Sequence, residues 1–137
     1  MTMEQKTARA YLDSIKGATV YLKTLEQTKQ LEMASYATIQ PDRKNLGFKA
    51  LLNVLEREIN EVKNEIQNRC VIINTLPSEC WRTVLIRHYI YGDTWGNIAL
   101  ELHYCEKTIY RMRAAALDAL GKYLIDITGV SNSVSNF

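Results

Sequence analysis

Apolar residues at Tyr11, Ile15, Ala18, Leu22 and Leu25 are separated alternately by four and three positions. That spacing lays them along one side of a helix, close to a heptad seam. Between Glu4 and Ala37 the chain has no proline and one glycine, Gly17, so a single helix over this stretch is expected. Beyond Leu25 the seam blurs. Lys29 falls on it, and Leu31 and Met33 sit beside it. Gln40-Pro41-Asp42-Arg43 ends the pattern, because proline removes a donor and restricts the residue before it; the connection is placed at about 38–47.

A second helix is expected from Phe48 to about Asn74. Leu52, Leu55, Ile59, Val62, Ile66, Arg69 and Ile73 repeat the four-three step, and Glu56, Glu58, Glu61, Lys63, Glu65 and Asn68 occupy the other side as a largely solvated face. Such a helix is roughly 40 Å long at about 1.5 Å per residue. Its apolar stripe needs a cover: the first helix in an antiparallel pair, a second copy of the chain, or both.

The pattern then shortens. Leu76-Pro77 precedes a helix to about Ile90, and Gly92-Asp93-Thr94 makes a turn. A short helix carries Ile98, Ala99 and Leu102. After His103-Tyr104-Cys105 a further helix carries Ile109, Met112, Ala116 and Leu120. Two short helices joined by a brief turn describe a helix-turn-helix, whose second helix enters a DNA major groove. Thr94 stands at the cap position of the first helix. Ala99 is small where the pair must approach closely. Cys105 holds the cap position of the second helix, where a thiol is a poor acceptor, so Glu106 and the helix dipole are expected to compensate or the start to fray. Trp81, Val84, Leu85 and Tyr89 are expected in the core, and Trp95 between helices.

Composition narrows the function. The length of 137 residues allows one domain or two small ones, and few Pro and Gly favour helix. The net charge of +2 requires any positive face to be local. Cys70, Cys80 and Cys105 form no Cys-x-x-Cys pair, and His88 and His103 are not at ligand spacing with them, so free thiols in a reducing compartment are expected and no metal. The charged start (Glu4, Lys6, Arg9) and the absence of a long apolar run point to a cytoplasmic protein without a membrane span. There is no Gly-rich phosphate loop and no nucleophile with a base beside it, so neither an enzyme nor a cofactor is expected. Residues 128–137, small and uncharged, are expected to be a flexible tail.

From Leu76 to Tyr123 the chain resembles region four of bacterial sigma factors. The matching residues are Leu76-Pro77, Arg82-x-Val84-Leu85-x-Arg87-x-Tyr89, Gly92-x-Thr94-Trp95-x-x-Ile98-Ala99-x-x-Leu102, Thr108-Ile109-Tyr110-Arg111 and Ala114-x-Ala116-Leu117-x-x-Leu120. A helical pair followed by this module is similar to small phage and prophage regulators of the ArpU or RinA kind. The resemblance implies an all-α protein. Residues 1–75 would form a coiled-coil-like antiparallel hairpin for dimerisation or interaction. Residues 76–127 would form a helix-turn-helix DNA-binding domain.

On the helix that follows Cys105, the side opposite the apolar stripe carries Glu106, Lys107, Tyr110 and Arg111, with Arg113 toward its edge. These residues, with Thr108 beside them, are the expected DNA contacts, Lys107, Tyr110 and Arg111 lying closest. Thr94 is added at the turn, and Arg87 as a phosphate contact unless it pairs with Asp93. Arg82 has the same choice with Glu79. The expected function is a sequence-specific transcription regulator acting on double-stranded DNA as a homodimer through the N-terminal helices. Residues 78–124 hold six Lys/Arg against five Asp/Glu. That balance leaves room for an adaptor that binds RNA polymerase or a sigma factor without DNA affinity. A small terminase-like packaging protein is a third possibility.

Overall fold

A computed structural model describes the backbone of residues 1–39 and 46–135 and the side chains of residues 1–37 and 47–128. Most of the connection expected at 38–47 lies outside the described residues. Those described are helical, without a strand: α1 (Met3–Asp13), α2 (Ala18–Ile39), α3 (Leu46–Ile73), α4 (Glu79–Leu85) continuing into a π-helical turn (Ile86–Ile90), α5 (Trp95–Leu102) and α6 (Glu106–Ser135). None of these helices is long and apolar enough to cross a membrane.

The single helix expected over Glu4–Ala37 is two. α1 opens with a capping box: the Gln5 amide donates to Thr2 Oγ1 (3.1 Å) and the Thr2 amide to Gln5 Oε1 (3.4 Å). It closes at Asp13, where Ser14 Oγ donates to the Tyr11 carbonyl (2.7 Å) and Gly17 takes a left-handed φ of 85°. Glycine reaches that region without a Cβ clash, so one glycine ends a helix that propensity alone would continue. The break divides the apolar stripe between two compact units, one of residues 18–67 and one of residues 1–17 with 68–137. These bounds differ from the expected division after residue 75.

In the 18–67 unit, Leu25, Leu55, Ile59 and Val62 form a core, with Ala18, Leu22 and Ile66 packed against it. Lys29–Glu56 (3.2 Å) and Glu26–Lys63 (3.5 Å) bridge α2 to α3, and their numbers run in opposite senses along the two helices. Tyr36 and Phe48 stack at 4.1 Å. The α3 charges therefore include cross-helix partners, although half-exposed pairs of this kind are worth ~1 kcal/mol or less each.

The other unit contains α1, which packs along α6. Ala8 and Leu12 are fully buried and Ile15 nearly so. At Gly121 the two helices approach so closely that any Cβ would overlap the Glu4 carbonyl. Thr2 Oγ1 donates to Asp118 Oδ1 (3.3 Å) and Gln5 Nε2 to the Ala114 carbonyl (3.2 Å). Arg69, on the α3 seam, lies over the Tyr11 ring (4.5 Å) and donates to Ser14 Oγ (2.9 Å). A second core joins Val84, Ile98, Ala99 and Ile109, flanked by Trp95, Leu102 and Met112. α6 continues to Ser135, past the start of the expected tail at 128. Extending an existing helix costs far less than nucleating one, and nothing after Gly121 is a proline.

Candidate nucleic-acid interface

α5 starts as its sequence suggests, with the Asn97 amide donating to Thr94 Oγ1 (3.1 Å). It stops at His103, whose φ of 62° is left-handed. That residue turns the chain by Tyr104 N–H donating to the Ala99 carbonyl (2.9 Å) and His103 N–H to Leu100 (3.3 Å). α6 then begins at once, the Ile109 amide reaching the Cys105 carbonyl (3.2 Å).

Cys105 stands at the expected cap position, where its side chain meets another side chain. Its Sγ lies 3.1 Å from Thr108 Oγ1. The Thr108 hydroxyl, and after it the amides of Thr108 and Lys107, hold the thiol below its ordinary value. Sulfur is a weak acceptor, but the exposed amides and positive dipole end of a helix favour a polarised or ionised thiol.

The expected DNA-facing residues separate into two sets. Glu106, Lys107, Tyr110 and Arg111 are exposed on one side of the first turns of α6, with Tyr110 at 54%. Neither Lys107 nor Arg111 has an ion pair among the described residues. The opposite side is committed to the core through Ile109, Ala116 and Leu120, with Met112 half-buried. Thr108, Thr94, Arg113 and Arg87 are engaged within the fold. Thr108 bonds Cys105, and Thr94 caps α5. The Arg113 guanidinium sits 5.1 Å over the Trp95 ring.

Arg87 shows how a distant partner changes a residue's role. Its Nε meets Asp93 Oδ2 at 3.0 Å and its Nη2 meets Glu101 Oε2. Those two hydrogen bonds raise its already high pKa and offset its charge. The pairing with Asp93 was one of its two expected roles. The Glu101 pairing removes the remaining positive potential a phosphate would need. Arg82 turns inward as well, donating to the Leu76 carbonyl (2.6 Å).

Trp95 packs as expected. His88 stacks on it at 4.0 Å and 19°, and Tyr89 meets it edge-on at 6.2 Å. The π-helical turn places these rings, its wider turn bringing Arg87, His88 and buried Tyr89 to their partners. His88 Nδ1 lies 2.8 Å from the Asp93 carbonyl. Burial pushes the His88 pKa below its ordinary 6.5, helped by Lys16 and Arg113 and opposed by the Asp93 carbonyl and by Asp13. The sign of the linkage follows. The unfolded chain takes up a proton at 6.5 that the folded chain accepts only at lower pH, so stability is full above 6.5 and falls as the pH drops below it. Unfolding midpoints measured from neutral to mildly acid pH are expected to show this loss. A His88→Phe variant, which keeps the stack, is expected to lose that component; an unchanged profile would remove His88 as its source.

No protein-family model, curated protein or solved structure matches this chain.

Two residues that shape the site were not visible from periodicity or spacing. Gln5 bonds the Ala114 carbonyl, one turn beyond Arg111, across 109 positions of chain. Gly121 admits the Glu4 backbone. A glycine in the middle of an otherwise strong helix was the available signal for a close approach.

Proposed function

We propose that this chain is a sequence-specific DNA-binding transcription regulator, of the phage or prophage kind its sigma-region-four resemblance suggests. In this reading α5 and α6 are a helix-turn-helix, α2 and α3 a helical hairpin, and the first two turns of α6 lie in the major groove. One observation carries it. Lys107, Tyr110 and Arg111 are exposed together and free of acidic partners, whereas Arg87 and Arg113 are held within the fold. A cation spent inside the protein needs no ligand, and a pair left uncompensated beside an aromatic ring suits a phosphate-lined groove.

Glu106 adds an acceptor for a cytosine amino group, and Arg111 a two-bond donor for guanine. Lys107 and Arg111 are four apart and therefore neighbours on the helix surface. Duplex fragments selected from random DNA by the purified protein are expected to share a motif. Fluorescence anisotropy on them is expected to show affinity falling steeply with salt. Selection that yields no motif, or binding indifferent to salt, would exclude this function.

The adaptor reading has an observation of its own. Leu100 is 76% exposed on α5 and Tyr91 67% exposed after the π-helical turn, apolar surface that DNA does not use. Salt-insensitive binding to RNA polymerase, with no duplex affinity, would select it.

A further inference from the structure

α2 distributes its residues in an unusual way. Its inner side, Ala18, Leu22 and Leu25, is spent on the core of the 18–67 unit. A second four-three stripe follows Val20, Thr24, Gln27, Leu31 and Ala34. Val20 is 67% exposed and Leu31 69%. None of the four charged residues of α2, Lys23, Glu26, Lys29 and Glu32, falls on this stripe. Glu26 and Lys29 instead reach α3. A helix lying on a hairpin and facing water normally turns its charges outward; here the outer stripe has none.

Its polar groups are also prepared for burial. Thr24 Oγ1 donates to the Val20 carbonyl (3.0 Å), and Thr28, beside the stripe, to the Thr24 carbonyl (2.8 Å). These hydroxyls have a partner already, so covering them strands no donor. The apolar seam of α3 is occupied: Leu55, Ile59 and Val62 are buried in the core with Leu25.

We propose that a second copy of this chain covers this face, α2 against α2 in antiparallel register about a two-fold axis midway between Thr24 and Gln27. The stripe is its own complement in that register. Val20 meets Leu31 of the other copy and Thr24 meets Gln27, apolar against apolar and polar against polar on each side of the axis. The Gln27 amide donates and the Thr24 hydroxyl oxygen can accept, so the two copies bond each other and fix the register, as single polar residues do in coiled-coil seams. The absence of charge lets the face approach its own copy without repulsion, whereas a differently charged partner would find nothing to recognise. α2 is about 33 Å long, and one such helix pair buries less than the ~800 Å² per partner of a standard interface, so dissociation in the micromolar range is expected.

Sedimentation equilibrium of the full chain, without DNA, tests the pairing separately from the reading of α6. The wild type is expected to show a dimer with a micromolar Kd. Leu31→Glu is expected to raise that Kd by about a hundredfold, with the circular dichroism of the folded chain unchanged. Adding Val20→Lys to Leu31→Glu is expected to restore the dimer, because lysine then faces glutamate across the axis. A wild type that stays monomeric through the high micromolar range, or a Leu31→Glu chain as dimeric as the wild type, overturns the proposal. A double variant that remains monomeric overturns the antiparallel register. Val71→Lys, off this face and 58% exposed, is expected to leave the Kd unchanged, and a loss of dimer there would also count against it.

Discussion

Gly121→Ala is expected to destabilise the protein by about 3 kcal/mol, reversing the sign that helix propensity assigns. In an isolated helix the same change stabilises by about 1 kcal/mol. Here the new methyl would overlap the Glu4 carbonyl, which is backbone and cannot rotate away. Two responses are open. α1 and α6 can move apart locally and loosen their packing, which for overpacked sites costs ~1–3 kcal/mol and occasionally more. Alternatively α1 can undock and expose Leu12 and Ile15, both now buried, at ~1.5–3 kcal/mol each. The cheaper route sets the outcome, and neither is small. Urea unfolding measures the loss. Amide exchange of residues 3–13 identifies the route, since undocking removes protection from α1 alone. A stabilised Gly121→Ala protein would show that α1 does not lie on α6. The effect extends toward the interface, because Gln5 holds the Ala114 carbonyl one turn past Arg111.

Lys107→Ala with Arg111→Ala is the second large effect. Affinity for a selected duplex is expected to fall by on the order of a hundredfold, Arg111 contributing ~1–3 kcal/mol if it reads a base. The slope of log affinity against log salt is expected to flatten by about 0.9 for each phosphate that the variant no longer neutralises. Both side chains are exposed and unpaired by acids, so the folding free energy is expected to stay within ~0.5 kcal/mol of the wild type. That separation of affinity from stability makes the result decisive. Arg87→Ala is the contrast. It strands Asp93 and Glu101 and is expected to lower stability before it touches affinity. Full binding by the Lys107/Arg111 double variant would move the DNA site off α6.

Much of the local structure was readable from periodicity. The α3 stripe, the α5 cap at Thr94, the turn at His103 and the buried side of α6 all depend on residues within a few positions of one another. The all-helical character follows from the same local terms. Less readable were features with a distant partner. Ser14–Gly17 contains one glycine and no proline, too weak a signal against a continuous stripe. Arg87 looked like a phosphate ligand because Glu101, fourteen positions away, comes within reach only after the π-helical turn.

Residue order alone therefore settled most of the helical stretches and which side of each is apolar, though not the break between α1 and α2 or the length of α6, since backbone propensity, capping and side-chain spacing act over a single turn. Three-dimensional packing decided which helix each apolar side would cover. It sent α1 to α6 rather than leaving it with α2, and it spent Arg87 and Arg113 internally while leaving Lys107 and Arg111 uncommitted. The reason is that burial and charge pairing depend on distance in space, and two apolar stripes of similar length compete for partners on nearly equal terms until a close fit, such as Gly121 against Glu4, separates them.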